Sequence, residues 1–345
     1  MSELTIALDM MGGDIGPPVT FPAALKAAQA YPDVTFLLFG HQDAIQHEFK
    51  KRNISESDGI MSRMPIVHCE EVVGMGDSPA SVLRNKKQSS MRKMIESVEQ
   101  NNAQACVSSG NTGALMALAY YRLKTLSGID RPALVSRMPT AGQHRVFLLD
   151  LGANVTCTAE TLFQYGVMGS VLAQQVAQIE KPRVALLNVG EEDIKGNAQV
   201  KMADQIFKNA NSVNYIGYVE GTEIFSDAAD VIVTDGFTGN IALKSSEGLA
   251  KLVINEVKRQ SQKSFLTRMM ARAAMPLLKK IYNRVNPDQY NGASLIGLRG
   301  TVIKSHGNAS SDAFYYAIGL AIQEARMQVP EKIKASIETV LLEQI

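Results

Sequence analysis

Short runs of apolar residues recur along the chain, and each run ends in Gly, Asn or Asp before a longer helical pattern begins. This alternation is typical of β-strands that are followed by crossover helices. Strands that are apolar throughout indicate a parallel sheet with helices on both faces. The pattern predicts eight strands, at residues 4–8, 34–39, 105–108, 146–149, 184–189, 213–218, 231–234 and 301–304. We therefore expect an α/β protein with three layers, α/β/α, around a large and mostly parallel sheet.

The segment 257–292 departs from this alternation, because it has a long helical pattern that is interrupted by Pro276 and by Asn286-Pro287. We interpret it as a helical hairpin that leaves the sheet. No Pro-rich or Ser-rich linker and no repeat divides the rest of the chain. The sequence therefore predicts one α/β domain over residues 1–345, with the hairpin of residues 257–292 inside it.

The hairpin segment is also amphipathic. Residues 257–287 contain eight basic side chains and no Asp or Glu. In a helical projection the basic and apolar side chains separate, with Arg268 and Arg272 on one side and Leu266, Met269 and Met270 on the other. Such a helix suits the surface of an anionic membrane. The alternative is a hairpin that packs against the core or against a second subunit, and the sequence leaves both open.

Composition narrows the class of protein. The chain has 345 residues, 46% of them hydrophobic, and a formal net charge of +1. That apolar content excludes a disordered chain, and the balanced charge argues against nucleic acid as a partner. No apolar run reaches the length of a membrane-spanning helix, and the N-terminal residues show no secretory signal. We expect a cytoplasmic protein that associates with membranes only peripherally.

Cysteine and histidine residues indicate no metal site. The three cysteines, Cys69, Cys106 and Cys157, are widely spaced, and no two histidines stand at helical spacing. We expect buried, reduced thiols and no metal. The chain also lacks the glycine patterns of nucleotide-binding loops and the glycine pattern of a nucleophile elbow. The sequence therefore predicts no cofactor and no covalent acyl-enzyme.

Two glycine-rich loops follow predicted strands, at positions where α/β proteins bind ligands. The first, residues 108–113, opens a helix, so its backbone N–H groups can converge on a phosphate or a carboxylate. The alternative is a tight turn in which Asn111 or Thr112 caps the helix. The second loop, residues 235–240, has the same form. The substrate-binding residues predicted from these loops are Ser109, Gly110, Asn111, Thr112, Gly113 and Gly239.

Seven polar motifs, taken in order, resemble those of one family. They include the strings MMGGD, SSGNTG, DLGAN, DGFTGN and SHG, and they lie at residues 7–14, 77–81, 107–113, 149–154, 187–192 with 195–196, 234–240 and 305–307. Together they resemble the PlsX family of bacterial phosphate acyltransferases over nearly the whole chain.

The resemblance implies a fold similar to that of phosphotransacetylases and isopropylmalate dehydrogenases. It also implies an acyltransferase that moves a long-chain acyl group from acyl carrier protein to inorganic phosphate, giving acyl phosphate for phospholipid synthesis. Neither a cofactor nor a metal is implied. The expected partners are acyl carrier protein, inorganic phosphate, an anionic membrane surface and a second copy of the chain in a homodimer. A membrane glycerol-3-phosphate acyltransferase is a further expected partner.

The resemblance further implies that Lys195 and Asn240 act in catalysis. In a direct attack of phosphate oxygen on the thioester carbonyl, Lys195 would hold the phosphate or the oxyanion, and Asn240 would orient either group by its amide. The plainer roles are a solvated lysine for Lys195 and a helix cap for Asn240. His306 is also predicted to bind substrate, with a local hydrogen bond in its loop as the alternative.

A second basic segment, residues 84–93, has five basic residues and no acid. Because acyl carrier protein is acidic, Arg84, Lys86 and Lys87 are predicted to dock it, and the alternative is an ordinary solvated helix face. Three rival functions are a short-chain phosphotransacetylase that uses acyl-CoA, a decarboxylating dehydrogenase, and a non-catalytic scaffold at the membrane. The apolar side of the hairpin argues against the first, and the retained polar motifs argue against the last.

Overall fold

The structure is a computed structural model that describes residues 4–55, 59–142, 144–192, 194–285 and 291–343. In these ranges eleven strands form one sheet. They are β1 (Leu4–Asp9), β2 (Val34–Gly40), β3 (Ile66–His68), β4 (Ala105–Ser108), β5 (Ala133–Pro139), β6 (Arg145–Leu149), β7 (Arg183–Leu187), β8 (Asn214–Val219), β9 (Val231–Val233), β10 (Ala293–Ile296) and β11 (Thr301–Lys304).

Helices cover both faces of this sheet. They are α1 (Pro17–Ala30), α2 (Gln42–Lys51), α3 (Pro79–Asn85), α4 (Ser90–Glu99), α5 (Thr112–Leu123), α6 (Ala159–Ala177), α7 (Ala198–Asn209), α8 (Gly236–Ser261), α9 (Phe265–Ala273), α10 (Met275–Val285), α11 (Ser311–Met327) and α12 (Val329–Glu343). Two short 3-10 turns, Met61–Arg63 and Gly221–Glu223, lie in the connections.

The eight strands expected from the apolar runs are all present, with ends that shift by no more than two residues. The sequence pattern missed β3, β5 and β10. Both β5 and β10 lead directly into another strand, and β3 and β10 have only three and four residues. A pattern of strand, loop and helix cannot reveal strands of this kind.

The sheet has two parallel halves that run in opposite directions. One half has the order β3-β2-β1-β4-β11, and the other has the order β6-β9-β7-β8. Between them lie β10 and β5, which pair antiparallel with each other and with β11 and β6 respectively. The predicted three-layer fold with a mostly parallel sheet is confirmed, but the strands of one half run antiparallel to those of the other.

The strand register brings the carboxyl ends of both halves to one level. Lys304, the last residue of β11, pairs with Ala293. The next residue, Ser294, pairs with Val135, which in turn pairs with Leu149, the last residue of β6. Because ligands bind beyond the carboxyl ends of parallel strands, this central level is where a site is expected.

Apolar side chains fill the space between the sheet and its helices. Every residue of β4, β9 and β11 is buried, as the continuous apolar runs predict. The helix α6 illustrates the packing. Thr158 caps it by accepting a hydrogen bond from Thr161 N. A Cβ at Gly169 would lie 2.6 Å from Val231 Cγ1, so only glycine allows α6 to lie this close to β9.

The long helix α8 starts at the sheet, and α9 and α10 follow it. Ser264 and Thr267 form a capping box at the start of α9. Six large apolar side chains of α9 and α10 are exposed, from 51% at Ile281 to 76% at Phe265, whereas Leu278 is half-buried. The side chain of Leu266 and residues 286–290 lie outside the described residues. None of the described helices is long and apolar enough to cross a membrane.

Candidate active site

A cavity of about 810 Å³ lies at the level where the two halves of the sheet end. This volume is within the range of small-molecule sites, roughly 300–1,000 Å³. Its wall comes from β5, from one side of α8, from the first turns of α5 and from the loops that follow β6 and β11. The lining residues outside α8 include Thr112, Gly113, Met116, Leu134, Ser136, Met138, Leu151, Gly152, Lys304, Ser305 and His306.

The cavity side of α8 changes from polar to apolar along the helix. Residues three and four positions apart share one helix face. The polar ones, Asn240, Lys244, Ser246 and Glu247, all lie in the N-terminal part, and Leu249, Ala250, Val253 and Ile254 follow. At 1.5 Å per residue, Asn240 and Ile254 are about 21 Å apart along the axis. The cavity therefore has a polar end at the strand termini and an apolar extension along α8.

A buried carboxylate fixes the loop in front of α5. Asp9 is only 1% exposed and accepts hydrogen bonds from Ser90 Oγ and Ser108 Oγ, each at 2.7 Å. Ser108 Oγ in turn accepts a hydrogen bond from Gly110 N at 3.0 Å. Burial raises the pKa of Asp9, and the two hydroxyl donors oppose that shift. A Cβ at Gly12 would lie 2.9 Å from both Asp9 Oδ2 and Gly110 N, so the loop after β1 packs directly against the first glycine-rich loop.

The predicted residues of the first glycine-rich loop divide into three groups. Asn111 caps α5, because its Oδ1 accepts a hydrogen bond from Ala114 N and its Nδ2 donates to the carbonyl oxygens of Met75 and Asp77. The helix-cap alternative therefore describes Asn111. Buried Ser109 and Gly110 lie against the loop of residues 12–14. Thr112 and Gly113 line the cavity.

The loop after β6 holds the start of α8. The buried Asp150 accepts hydrogen bonds from Leu134 N and Ala153 N, both at 3.0 Å, and from Asn154 N at 2.6 Å. Burial raises the pKa of this carboxyl despite these donors. A Cβ at Gly239 would collide with the carbonyl oxygen of Asp150. Gly239 is therefore a contact between α8 and this loop, and it does not line the cavity.

Asn240 is positioned by this contact and faces the cavity. The cap of α8 is Asp235, whose Oδ1 accepts a hydrogen bond from Thr238 N at 2.7 Å. The helix-cap alternative is therefore wrong for Asn240, which lies inside the helix. Its side chain is half-buried and lies next to Gly152 in the loop after β6. An amide in this position can donate to a ligand in the polar end of the cavity.

Lys195 lies outside the cavity wall. It follows β7 in an exposed loop, and its Nζ is 2.7 Å from Glu192 Oε2. The hydrogen bond to Glu192 raises the pKa of Lys195. The amide Nδ2 of Asn188 donates to Gly190 O at 3.0 Å and keeps this loop compact. The catalytic role expected for Lys195 stays a prediction.

His306 lines the cavity and contacts α8. Its Nε2 is 3.2 Å from Glu247 Oε1, and its backbone N donates to Asn291 Oδ1 at 3.0 Å. Asn291 is buried and also donates to Ser305 Oγ at 2.7 Å. Burial acts to raise the pKa of Glu247, but His306 and nearby lysines together hold it below its ordinary value. His306 therefore forms the local hydrogen bond of the alternative interpretation and also lies in the cavity wall, where a substrate could contact it.

Sequence reasoning missed three charged residues of the cavity, Lys304, Lys244 and Glu247. Lys304 is the last residue of an otherwise apolar strand, directly before the SHG motif. A lysine in this position was a detectable sign of a site residue. Glu247 stands seven residues after Asn240, so both lie on the same face of α8. Lys304 and Glu247 come together with Thr112 in one cavity because of the sheet register, which the sequence does not reveal.

The cysteine thiols are unsuited to nucleophilic attack. Burial raises the pKa of Cys69 and of Cys157 to about 11, and it raises the pKa of Cys106 as well. These thiols stay protonated near neutral pH.

The predicted docking residues lie at the C-terminal end of α3. Arg84 and Lys87 are exposed and Lys86 is half-buried. They belong to α3 and the turn after it, and α3 packs against α5. At the contact, a Cβ at Gly113 would lie 3.1 Å from Pro79 Cγ. The basic surface formed by Arg84, Lys86 and Lys87 is therefore joined to the cavity wall through α5.

Comparison with known proteins decides the family. A family model described as "Fatty acid synthesis protein" matches residues 4–332. The "Phosphate acyltransferase" of Pseudoalteromonas atlantica (strain T6c / ATCC BAA-1087) is 57% identical over 343 residues, which cover 99% of each chain. That of Shewanella woodyi (strain ATCC 51908 / MS32) is 53% identical over the same length and coverage. This chain belongs to the phosphate acyltransferase family. The resemblance seen in the seven motifs is confirmed, and the chain is an acyltransferase.

Solved structures support the fold of this phosphate acyltransferase. A phosphotransacetylase from Streptococcus pyogenes superposes with a TM-score of 0.61 at 15% identity and covers 94% of both chains. A branched-chain phosphotransacylase from Enterococcus faecalis V583 gives a TM-score of 0.58 at 14% identity, covering 93% of this chain and 99% of its own. At such identities the likeness concerns the fold alone, and the expected similarity to phosphotransacetylases is confirmed.

Proposed function

We propose that this phosphate acyltransferase transfers a long-chain acyl group from acyl carrier protein to inorganic phosphate, and that the acyl phosphate serves phospholipid synthesis. The observation that carries the proposal is the cavity along α8. Its polar end offers Asn240 and Thr112 to the reacting groups, and its apolar extension continues along α8 to Ile254, about 21 Å from Asn240 along the helix axis. A short acyl group would leave that extension empty, so the shape favours a long chain over acetyl.

The chemistry needs no covalent enzyme intermediate. An oxygen of phosphate attacks the thioester carbonyl carbon, and the new C–O bond gives a tetrahedral oxyanion. The C–S bond then breaks, and its electron pair leaves with sulfur as the thiolate of the carrier's prosthetic group, which takes a proton from water. Because the cysteine thiols stay protonated, direct attack by phosphate is consistent with the groups in the cavity.

In this mechanism the protein supplies position and charge stabilisation. The amide of Asn240 orients the phosphate or the oxyanion, and the backbone at the start of α5, at Thr112 and Gly113, favours negative charge. Lys195 joins this centre only if its side chain turns away from Glu192. His306, paired with Glu247, lies in the same wall and binds substrate there.

The basic surface of Arg84, Lys86 and Lys87 is the proposed docking site for acyl carrier protein. Its exposed cations attract an acidic partner, and α3 holds them next to α5, which lines the cavity. A carrier docked there would have its acyl thioester close to the polar end of the cavity.

The hairpin is the proposed contact with a membrane. In α9 the cations Arg268 and Arg272 and the apolar Met269 and Met270 are all exposed, and no other part of the described chain covers them. We infer a peripheral, cytoplasmic enzyme that binds an anionic membrane surface through residues 257–292 of its single domain. A second subunit in a homodimer is the other occupant that this surface suits. From such a place, acyl phosphate would reach a membrane glycerol-3-phosphate acyltransferase.

The direct test is to incubate the protein with palmitoyl acyl carrier protein and inorganic phosphate, and to measure acyl phosphate and free thiol. We expect both products in equal amounts. Acetyl-CoA should be a poor donor, with a kcat/KM that is lower by at least about tenfold because the apolar extension stays empty. Absence of both products would overturn the proposal, and equal use of acetyl-CoA would favour the short-chain rival.

A variant in the apolar extension tests the path of the chain. Ala250→Phe places a ring where Ala250 lines the cavity, so kcat/KM for palmitoyl donors should fall by about tenfold or more, and that for short-chain donors should change little. The matched control is Ser245→Phe, an exposed position of α8 outside the cavity wall. An equal effect of Ala250→Phe on both chain lengths would show that the acyl chain does not follow α8.

A further inference from the structure

Lys304 is a charged group in the cavity wall to which the mechanism above gives no task. It ends β11, pairs with Ser108 at the end of β4 and with Ala293 of β10, and is only 8% exposed. Its Nζ donates a hydrogen bond to the carbonyl oxygen of Ser305. The central strand of the sheet therefore delivers an ammonium group to the polar end of the cavity.

This ammonium has no counter-ion. Within the described ranges no carboxylate forms an ion pair with Lys304, and Asp9 and Asp14 act on it only from a distance. The carboxylate of Asp9 is already occupied by Ser90 and Ser108. Burial of an uncompensated charge is unfavourable, and it lowers the pKa of Lys304 to about 8. Such a group in the wall of a cavity suits an anionic ligand, which would supply the missing negative charge.

Further donors face the same cavity. Because β4 and β11 are adjacent, α5 begins beside Lys304, and Thr112 and Gly113 in its first turn line the cavity with it. The N–H groups of this turn carry a positive partial charge. His306, two residues after Lys304, is part of the same wall. An ammonium, a helix start and an imidazole thus surround one end of the cavity.

We propose that Lys304 binds the acceptor phosphate and holds it beside the thioester carbonyl. The inference rests on the proposed function, since it assigns the acceptor of that reaction. A lysine ammonium is a compact charge that suits phosphate, and burial strengthens its attraction to an anion. Lys195 differs in both respects, because it is exposed and already paired with Glu192.

The test uses inorganic phosphate alone, with Lys304→Met as a variant of similar size without charge. Phosphate should raise the Tm of the wild-type protein and give a measurable Kd by calorimetry. Loss of a charge-assisted contact should weaken the affinity of Lys304→Met for phosphate by at least about tenfold. In turnover, the KM for phosphate should rise by a similar factor, and the KM for the acyl donor should stay within about twofold.

Two further variants make the result specific. Lys334→Met removes one exposed charge from α12 and should bind phosphate as the wild type does. Lys304→Gln keeps a donor for the Ser305 carbonyl and should lose phosphate affinity as Lys304→Met does. Without phosphate, Lys304→Met should melt at or above the wild-type Tm, because it removes a buried charge that has no counter-ion. A lysine with a purely structural role would give a lower Tm.

The inference is overturned if folded Lys304→Met or Lys304→Gln binds phosphate within about twofold of the wild type. It is also overturned if the wild type binds no phosphate. The proposed function fails by a different result, namely a wild-type protein that binds phosphate but forms no acyl phosphate from palmitoyl acyl carrier protein.

Discussion

Asn240 and Lys195 stand in different places relative to the cavity, and their substitutions separate their roles. Asn240→Ala removes an amide from the cavity wall, and loss of one such donor should lower kcat by roughly 10²- to 10³-fold. Lys195→Ala should do the same if Lys195 turns toward the reacting groups. The measurement is steady-state formation of acyl phosphate, with circular dichroism to establish folding.

Glu192→Gln is the matched control for Lys195. It removes the charge that holds Lys195 in the loop but leaves the lysine itself, so activity should be retained. Near-normal kcat in Lys195→Ala would contradict the role expected for this lysine, and near-normal kcat in Asn240→Ala would remove the amide from the mechanism.

Glu324 makes stability depend on pH. It is 2% exposed, accepts a hydrogen bond from Ser294 Oγ at 2.7 Å, and lies near Arg137. Burial raises its pKa to about 7. In the unfolded chain a glutamate ionises near pH 4.5, so between about pH 4.5 and 7 the unfolded state binds fewer protons, and stability falls as pH rises. The loss amounts to about 3 kcal/mol at pH 8.

Glu324→Gln should therefore stabilise the protein at pH 8 relative to the wild type, and the gain should shrink toward pH 5. The measurement is the free energy of unfolding from denaturant titrations at the two pH values. Glu338→Gln, an exposed position on α12, should show no such difference. A gain for Glu324→Gln that is independent of pH would show that its carboxyl is not the titrating group.

At the residue scale, several residues predicted from the sequence lie in the cavity wall, and they are those whose motif fixes local geometry. The strand-to-helix loops placed Thr112, Gly113 and Asn240 in the cavity wall, because each stands at or near the start of a helix after a strand. Lys304 and Glu247 were missed because their contribution depends on which strands are neighbours and on the side of α8 that faces the sheet. Those are tertiary facts, and the local signal at Lys304, a lysine that ends an apolar strand, does not reveal them.

At the scale of elements, the contact between α8 and the loop after β6 is the tightest in the site. Gly239→Ala would force its Cβ against the Asp150 carbonyl, so it should cost at least about 2 kcal/mol of stability and displace Asn240. Gly248 lies in the same helix with open space around it, so Gly248→Ala should stabilise by up to about 1 kcal/mol. Denaturant midpoints compare the two, and equal destabilisation would contradict this account.

Whether the sequence predicted a strand depended largely on the element that follows that strand in the chain. Apart from the three-residue β3, each strand that leads through a polar loop toward a helix was found, whereas β5 and β10, which connect strand to strand, were not. These two antiparallel strands are the ones that join the halves of the sheet. The sequence therefore predicted the layers of the fold, but it did not predict how the two halves are oriented.

At the scale of the whole molecule, charge is unevenly distributed. Subtracting the +8 of residues 257–287 from the net +1 leaves −7 for the remainder. We expect binding to vesicles of anionic phospholipid that weakens as salt increases, since the Debye length falls to about 10 Å at 0.1 M salt. Met269→Glu combined with Met270→Glu should weaken this binding by at least about tenfold, because two exposed apolar side chains no longer enter the bilayer surface.

A control with the same change in charge is Met202→Glu combined with Ile216→Glu, two exposed apolar positions elsewhere. It should bind vesicles nearly as the wild type does. Vesicle flotation gives the affinities, and sedimentation velocity gives the oligomeric state. Unchanged flotation together with a shift from dimer to monomer in the Met269 and Met270 variant would assign the hairpin to a second subunit.

The position of β11 has a consequence for the synthesis of the chain. β11 lies in the middle of the sheet, yet it is the last strand to leave the ribosome. While residues 109–300 are being made, the side of β4 that later pairs with β11 has no partner strand. The four residues of β4 are all buried in the folded protein, and an open strand edge of this kind pairs readily with the wrong partner. A nascent chain that stops before residue 301 therefore carries an open sheet edge and lacks Lys304. The strand Thr301–Lys304, made after every other described strand, both closes the sheet and brings the buried ammonium to the cavity.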